Sequence, residues 1–139
     1  MEKLFLDTEF NSFGGELISL ALVPEDDKLP SWYGVRTIPE KTHPWVAEHV
    51  IPVLERDAMG PVIFQESLLQ YLRKFYELEV IADWPADFEH LCTQLYWQDR
   101  CVPLLLTMRL INTPALNPKN PHNALSDAQA LRDWYVTKA

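Results

Sequence analysis

The sequence predicts an α/β protein: a mixed five-stranded sheet flanked by helices, with a three-strand antiparallel meander followed by two parallel strands. Three observations predict it. Apolar runs of strand length crowd the first third of the chain, separated by short turn signals. From Pro44 onward, stretches with helical spacing of apolar residues alternate with short apolar runs. A meander that gives way to helix–strand alternation is the pattern of helices layered on a mixed sheet, and a parallel crossover sets the fourth strand beside the first.

Taken in order, Leu4 to Phe10 (LFLDTEF) is an apolar strand carrying two acids, and Asn11-Ser12-Phe13-Gly14-Gly15 is a turn. Glu16 to Val23 (ELISLALV) is the second strand and Ser31 to Val35 the third, joined by a polar, Pro-bounded link. Pro44 opens a helix through His49 to about Val50, where Pro52 interrupts. Leu68, Leu69, Leu72, Phe75 and Tyr76 recur at one helical face and read as core. Leu78 to Ala82 is a buried strand. Phe88, Leu91, Cys92, Leu95 and Tyr96 then share the face of a helix with Asp87 at its start, where an acid is favoured. Val102 to Thr107 is the fifth strand, and Asn112 to Pro121, with Pro114 and Pro118, is a loop. The last helix begins at Asn123 or Ala124 and runs to about Val136, with Asp127, Leu131, Trp134 and Tyr135 on one side. No repeat or linker interrupts the chain.

The 139 residues suit one domain, 1–139, with its own core. No run approaches the roughly 18 apolar residues of a membrane span. Met1-Glu2-Lys3 leads straight into the first strand, leaving no room for a signal peptide, so a cytoplasmic setting is expected. Cys92 and Cys101 lack metal-ligand spacing and read as reduced thiols, with a disulfide between them left open. The net charge of −8 argues against a nonspecific duplex binder, since phosphate contacts come from Lys and Arg. Bound divalent cations would offset part of that charge locally.

The chemistry centres on Asp7 and Glu9. Residues two apart on a strand share a face, so both carboxylates leave the sheet together. Paired anions need a proton or a cation between them, and oxygen ligands suit Mg²⁺ or Mn²⁺. Alone, such a pair is more often two solvated strand-edge acids. Asp83-Trp84-Pro85-Ala86-Asp87 and His122-Asn123-Ala124-Leu125-Ser126-Asp127 supply the matching acids further on.

Asp7-Thr8-Glu9, an Asp just past a later strand, and His122 five residues before Asp127 resemble the three motifs of the DEDDh branch of the DnaQ-like 3′–5′ exonucleases. Asp7 to Phe10, Glu16 to Ser19, Trp45-Val46, His49-Val50, Asp87 with Leu91 and Cys92, and His122 to Ala128 resemble more closely the small mycobacterial-type 3′–5′ exoribonucleases, relatives of ribonuclease T and oligoribonuclease. The resemblance covers nearly the whole chain. It implies a ribonuclease H-like fold, two divalent cations (Mg²⁺ or Mn²⁺), trimming of RNA from its 3′ end with release of 5′-mononucleotides, and a homodimer. It further implies that Asp7 bridges both cations, that Glu9 and Asp127 hold the one beside the attacking water, that Asp87 supports them through water, and that His122 is the general base. Phe10, Asn11 and Ser12 would position the terminal nucleotide. Single-stranded DNA is the alternative substrate, and a silent nucleic-acid-binding module the alternative role. Many relatives have Asn where this chain has Asp83, which therefore reads as an outer ligand or a strand-end acid and rivals Asp87; Pro85 favours Asp87 as the helix-start acid. His43, His49 and His90 show no metal-ligand spacing and read as structural or exposed, and Trp45 and Trp84 as packing residues.

Overall fold

A computed structural model describes residues 1–97 and 100–138. In chain order it contains β1 (Glu2–Phe10), β2 (Leu17–Pro24), β3 (Trp32–Arg36), α1 (Pro44–His49), a 3-10 turn (Ile51–Val53), β4 (Ala58–Met59), α2 (Pro61–Leu72), β5 (Leu78–Ala82), α3 (Pro85–Gln94), a small hairpin of β6 (Tyr96–Trp97) and β7 (Arg100–Cys101), β8 (Leu106–Leu110) and α4 (Ala124–Lys138). The main sheet has six strands in the order β4-β3-β2-β1-β5-β8. β1, β2 and β3 pair antiparallel, while β5 beside β1, β8 beside β5 and β4 beside β3 are parallel.

The alternation along β1 sorts its side chains between two layers. Leu4 and Leu6 enter one core with Phe64, Leu68 and Leu72 of α2 and Leu91 of α3. Phe5 faces the other way, onto Ile81 and Leu131 of α4, and beside it Ile18, Ala21 and Val23 of β2 meet Val46 of α1 and Ala124 and Ala128 of α4. β2 is buried along its whole length, as its unbroken apolar run requires when both faces are covered. Each fully buried Leu or Phe contributes about 2 kcal/mol relative to exposure, which makes β1 and β2 the rigid floor of everything above them.

The expected order of elements is present, with four corrections. The sheet has a sixth strand, β4, at its edge; two residues carry no period that a sequence can reveal. The last strand is Leu106–Leu110 rather than Val102 to Thr107. Its outer residues are exposed at the sheet edge, so the more apolar residues before it misled, and Pro103 among them cannot donate to a ladder. α2 stops at Leu72, so Tyr76 loses the helical phase and is 88% exposed instead of core. α3 stops at Gln94, which leaves Tyr96 exposed on β6. Both cysteines are free thiols. Among the described residues no helix is long and apolar enough to cross a membrane.

Candidate functional site

The site forms where β1 outruns its neighbour. Pairing with β5 ends at Phe5↔Ile81, whereas β1 continues to Phe10, so its last residues have one open side. Phe5, Asp7 and Glu9 share the face towards α4. Phe5 to Asp7 spans about 6.6 Å along a strand, and Asp127 to Leu131 about 6 Å along a helix. With Leu131 packed on Phe5, the equal rises carry Asp127 to Asp7. One carboxylate oxygen from each of Asp7, Glu9 and Asp127 lies within 4.8 Å of the others, close enough to hold one metal ion.

The start of α4 is fixed by Asn123. Its Oδ1 accepts from the Ser126 N–H at 3.1 Å, capping the helix, and its Nδ2 donates to the Val53 carbonyl at 2.8 Å. His122, immediately before it, has φ +70°, a left-handed conformation unusual for a residue with a side chain. Its ring stands edge-on to Trp45 at 4.9 Å and to His49 at 5.9 Å, and Trp45 and His49 stack at 4.6 Å.

Asp87 arrives from the opposite layer. Thr8, between the two β1 acids, points to the α3 side, and its hydroxyl and backbone N–H both donate to Asp87 Oδ1, at 2.6 and 3.2 Å. Asp87 therefore caps no helix; it uses the backbone that β5 leaves unpaired. The residue is only 2% exposed, and among the described residues its Oδ2 has no hydrogen-bond partner, as is true of Asp7 Oδ2. Such buried, unmatched acceptors are costly and need explanation. Burial raises every acid of the group. Asp7 is held well above the usual carboxylate range by burial and then by the charges of Asp87, Glu9 and Asp127. Glu9 is pushed up to about 9 by burial and by Asp127. Asp87 is pushed up to about 7, burial outweighing the Thr8 hydrogen bonds. Asp127 is also raised by burial, though Glu9 and His122 draw it back. Unpaired buried oxygens on a tight group of acids fit a hard divalent cation, which supplies the missing charge and partners at once.

Asp7, Asp83, His122 and Asp127 line one pocket of about 450 Å³, whose far wall is the proline segment around Leu116 and Pro118. No family model matches this chain, and no curated protein matches it. The site therefore rests on its own geometry.

Of the expected acids, Asp7, Glu9 and Asp127 lie together, His122 lines the pocket with Asp7 and Asp127, and Asp87 reaches β1 from α3 through Thr8. Phe10, Asn11 and Ser12 leave β1 beside them. Phe10 stacks on His90 at 4.7 Å and lies 6.0 Å from Phe13, itself 6.3 Å from Trp84. Asn11 is committed elsewhere: it donates to the Lys41 carbonyl at 2.8 Å and accepts from the His43 N–H at 2.7 Å, pinning the segment before α1. Ser12 adopts φ +64°, and a Cβ at Gly15 would lie 1.7 Å from the Asn11 carbonyl oxygen, so the turn needs its glycine. Trp45 and Trp84, expected to be packing residues, are 46% and 50% exposed. Thr8, Trp45 and His49 went unread as site residues. Alternation already sends Thr8 across the sheet, and i, i+4 spacing already sets Trp45 beside His49; what was missing was which neighbour each face meets.

Proposed function

We propose that this chain is a metal-dependent 3′–5′ exonuclease of the DEDDh type with a ribonuclease H-like fold, acting on RNA 3′ ends and releasing 5′-mononucleotides. The observation that carries the reading is the meeting of Asp127, from the last helix, with Asp7 and Glu9 of the first strand within 4.8 Å. Asp87, with an unpartnered buried oxygen, joins that group from a third element.

Asp7, Glu9 and Asp127 would hold the cations, with Asp87 supporting them. When bound, two divalent cations acidify water and offset the charge that develops on a phosphodiester during hydrolysis. The protein does the rest. Thr8 holds Asp87 in one rotamer through two hydrogen bonds to a single oxygen, leaving the other free for the site. His122, at the pocket lip, removes a proton from the attacking water; held edge-on to Trp45, its ring is kept from wandering into solvent. The aromatic group of Phe10, Phe13 and Trp84 offers flat surfaces to unpaired bases, which would hold a tail without reading its sequence. A second copy of the chain is the proposed partner, following the resemblance.

The test is digestion of 5′-labelled single-stranded RNA and matched DNA with Mg²⁺, Mn²⁺ or chelator. The expected result is a ladder shortened from the 3′ end, faster on RNA, lost with chelator and lost in Asp7→Asn. Equal or faster cutting of DNA moves the substrate to single-stranded DNA. Binding in Mn²⁺ without cleavage identifies a silent module, and neither binding nor cleavage ends the nuclease reading.

A further inference from the structure

We propose that Asp83 is a fifth carboxylate of the cation site, held by Thr113 so that its charge faces the pocket it shares with Asp7 and Asp127. Asp83 has this role only if the cation site of the proposed function is real, whatever bond the protein cleaves.

The placement follows from how two parallel strands end. β5 and β8 stay paired to Ala82↔Leu110, and the Ile111 N–H still donates to the Ala82 carbonyl at 2.9 Å. The chains then separate, β5 into α3 and β8 into the proline segment. Thr113 closes the gap: its hydroxyl donates to Asp83 Oδ2 at 2.9 Å. Asp83 is half-buried, and among the described residues its side chain makes no other hydrogen bond. The cap position of α3 is Trp84, with no side-chain cap, and among the described residues no cation pairs with Asp83 within 4.0 Å. A carboxylate that only tethered a loop would do better as a neutral amide, because its charge raises the cost of Asp7, Asp87 and Asp127 close by. Retaining a charge there makes physical sense when a cation is there to meet it. The independent sign of that cation is Asp87, 2% exposed with an unpartnered Oδ2 on the same group.

Asp83→Asn keeps an oxygen for Thr113 and removes only the charge; Thr113→Val keeps the charge and removes the tether. Both are compared with the parent protein and Asp7→Asn by Mn²⁺ titration calorimetry and by melting in chelator near pH 8. Losing an acid that orients or faces a metal costs about tenfold in affinity. Asp83→Asn is therefore expected to bind Mn²⁺ about tenfold more weakly, and to melt higher than the parent in chelator because repulsion is relieved. Thr113→Val keeps the charge but loses its positioning, so its loss of Mn²⁺ affinity is expected to be smaller than that of Asp83→Asn. Unchanged affinity in Asp83→Asn, or a melting point lowered in chelator as far as in Thr113→Val, overturns the role and leaves a loop anchor. If the parent binds no Mn²⁺, the cation site itself fails. If Asp83→Asn behaves as expected but RNA stays uncut, Asp83 stands and the nuclease reading falls.

Discussion

Thr8 shows how one side chain can join two layers of this protein. It sits between Asp7 and Glu9, yet its hydroxyl crosses to Asp87 on α3 at 2.6 Å. A hydrogen bond to a charged buried group is worth about 1.5–3 kcal/mol, and removing one partner exposes the other to the full desolvation cost. Thr8→Val preserves shape and β preference, so it is expected to lower stability by about 2 kcal/mol in urea unfolding near pH 8. Thr8→Ser, which keeps the donor, should lose much less; equal losses would mean that only the methyl group matters. His122 makes a second residue-scale test. As a general base it contributes roughly 10²–10⁴-fold, so His122→Ala should cut turnover by that order while Mn²⁺ still binds. If His122→Ala instead loses Mn²⁺ binding, the histidine acts on the metal site and not on water.

At the scale of elements, the site is an intersection of β1, α3 and α4, and its precision depends on where α4 begins. Asn123 both caps the helix and ties it to the Val53 carbonyl. A lost cap costs about 1 kcal/mol. Asn123→Ala is therefore expected to lower stability by at least that much and to weaken Mn²⁺ binding, since Asp127 lies one turn into the same helix; Ser126→Ala, which loses only the hydroxyl that accepts from the Asn120 N–H and keeps the Asn123 cap, should leave Mn²⁺ binding near the parent's. The same elements explain what the sequence could reveal. Period-2 spacing put Asp7 and Glu9 on one face, and period-3.6 spacing put Asp127 in line with Leu131, because those intervals are fixed by backbone geometry. The meander and the parallel placement of β5 beside β1 followed from run lengths and crossover handedness. What stayed hidden depends on partners distant in sequence. Trp45 and Trp84 read as packing residues because aromatic side chains favour burial, but both are half exposed, Trp45 edge-on to His122 and Trp84 near Phe13. β8 was misplaced because an edge strand has no buried face to imprint a pattern. The Thr113 tether joins two strand ends whose pairing no local spacing encodes.

Across the whole molecule, the acids set a conflict between folding and charge that pH and metal should resolve in opposite directions. The protein carries a net charge of −8, part of which is concentrated in the half-buried acids of the site at the end of β1. In the unfolded chain these carboxyls titrate near pH 4. In the folded protein, burial and mutual repulsion push Glu9 up to about 9 and Asp87 up to about 7, and raise Asp7 and Asp127 as well. Between those values the folded state keeps protons that the unfolded state has released, so stability falls as pH rises. The contribution is fully present below about pH 4 and is lost progressively as pH climbs through 7 towards 9. Metal-free protein is thus expected to melt at lower temperature at about pH 8.5 than at about pH 5.5. Saturating Mn²⁺ should raise the melting point most at the higher pH, because a cation competes with protons for the same oxygens. General repulsion from the net charge is separated by Asp7→Asn, which changes that charge by one yet should flatten much of the slope in chelator. A melting point that stays level in chelator from about pH 5.5 to 8.5 would show that the acids ionise freely, and that the group is too open to need either proton or metal.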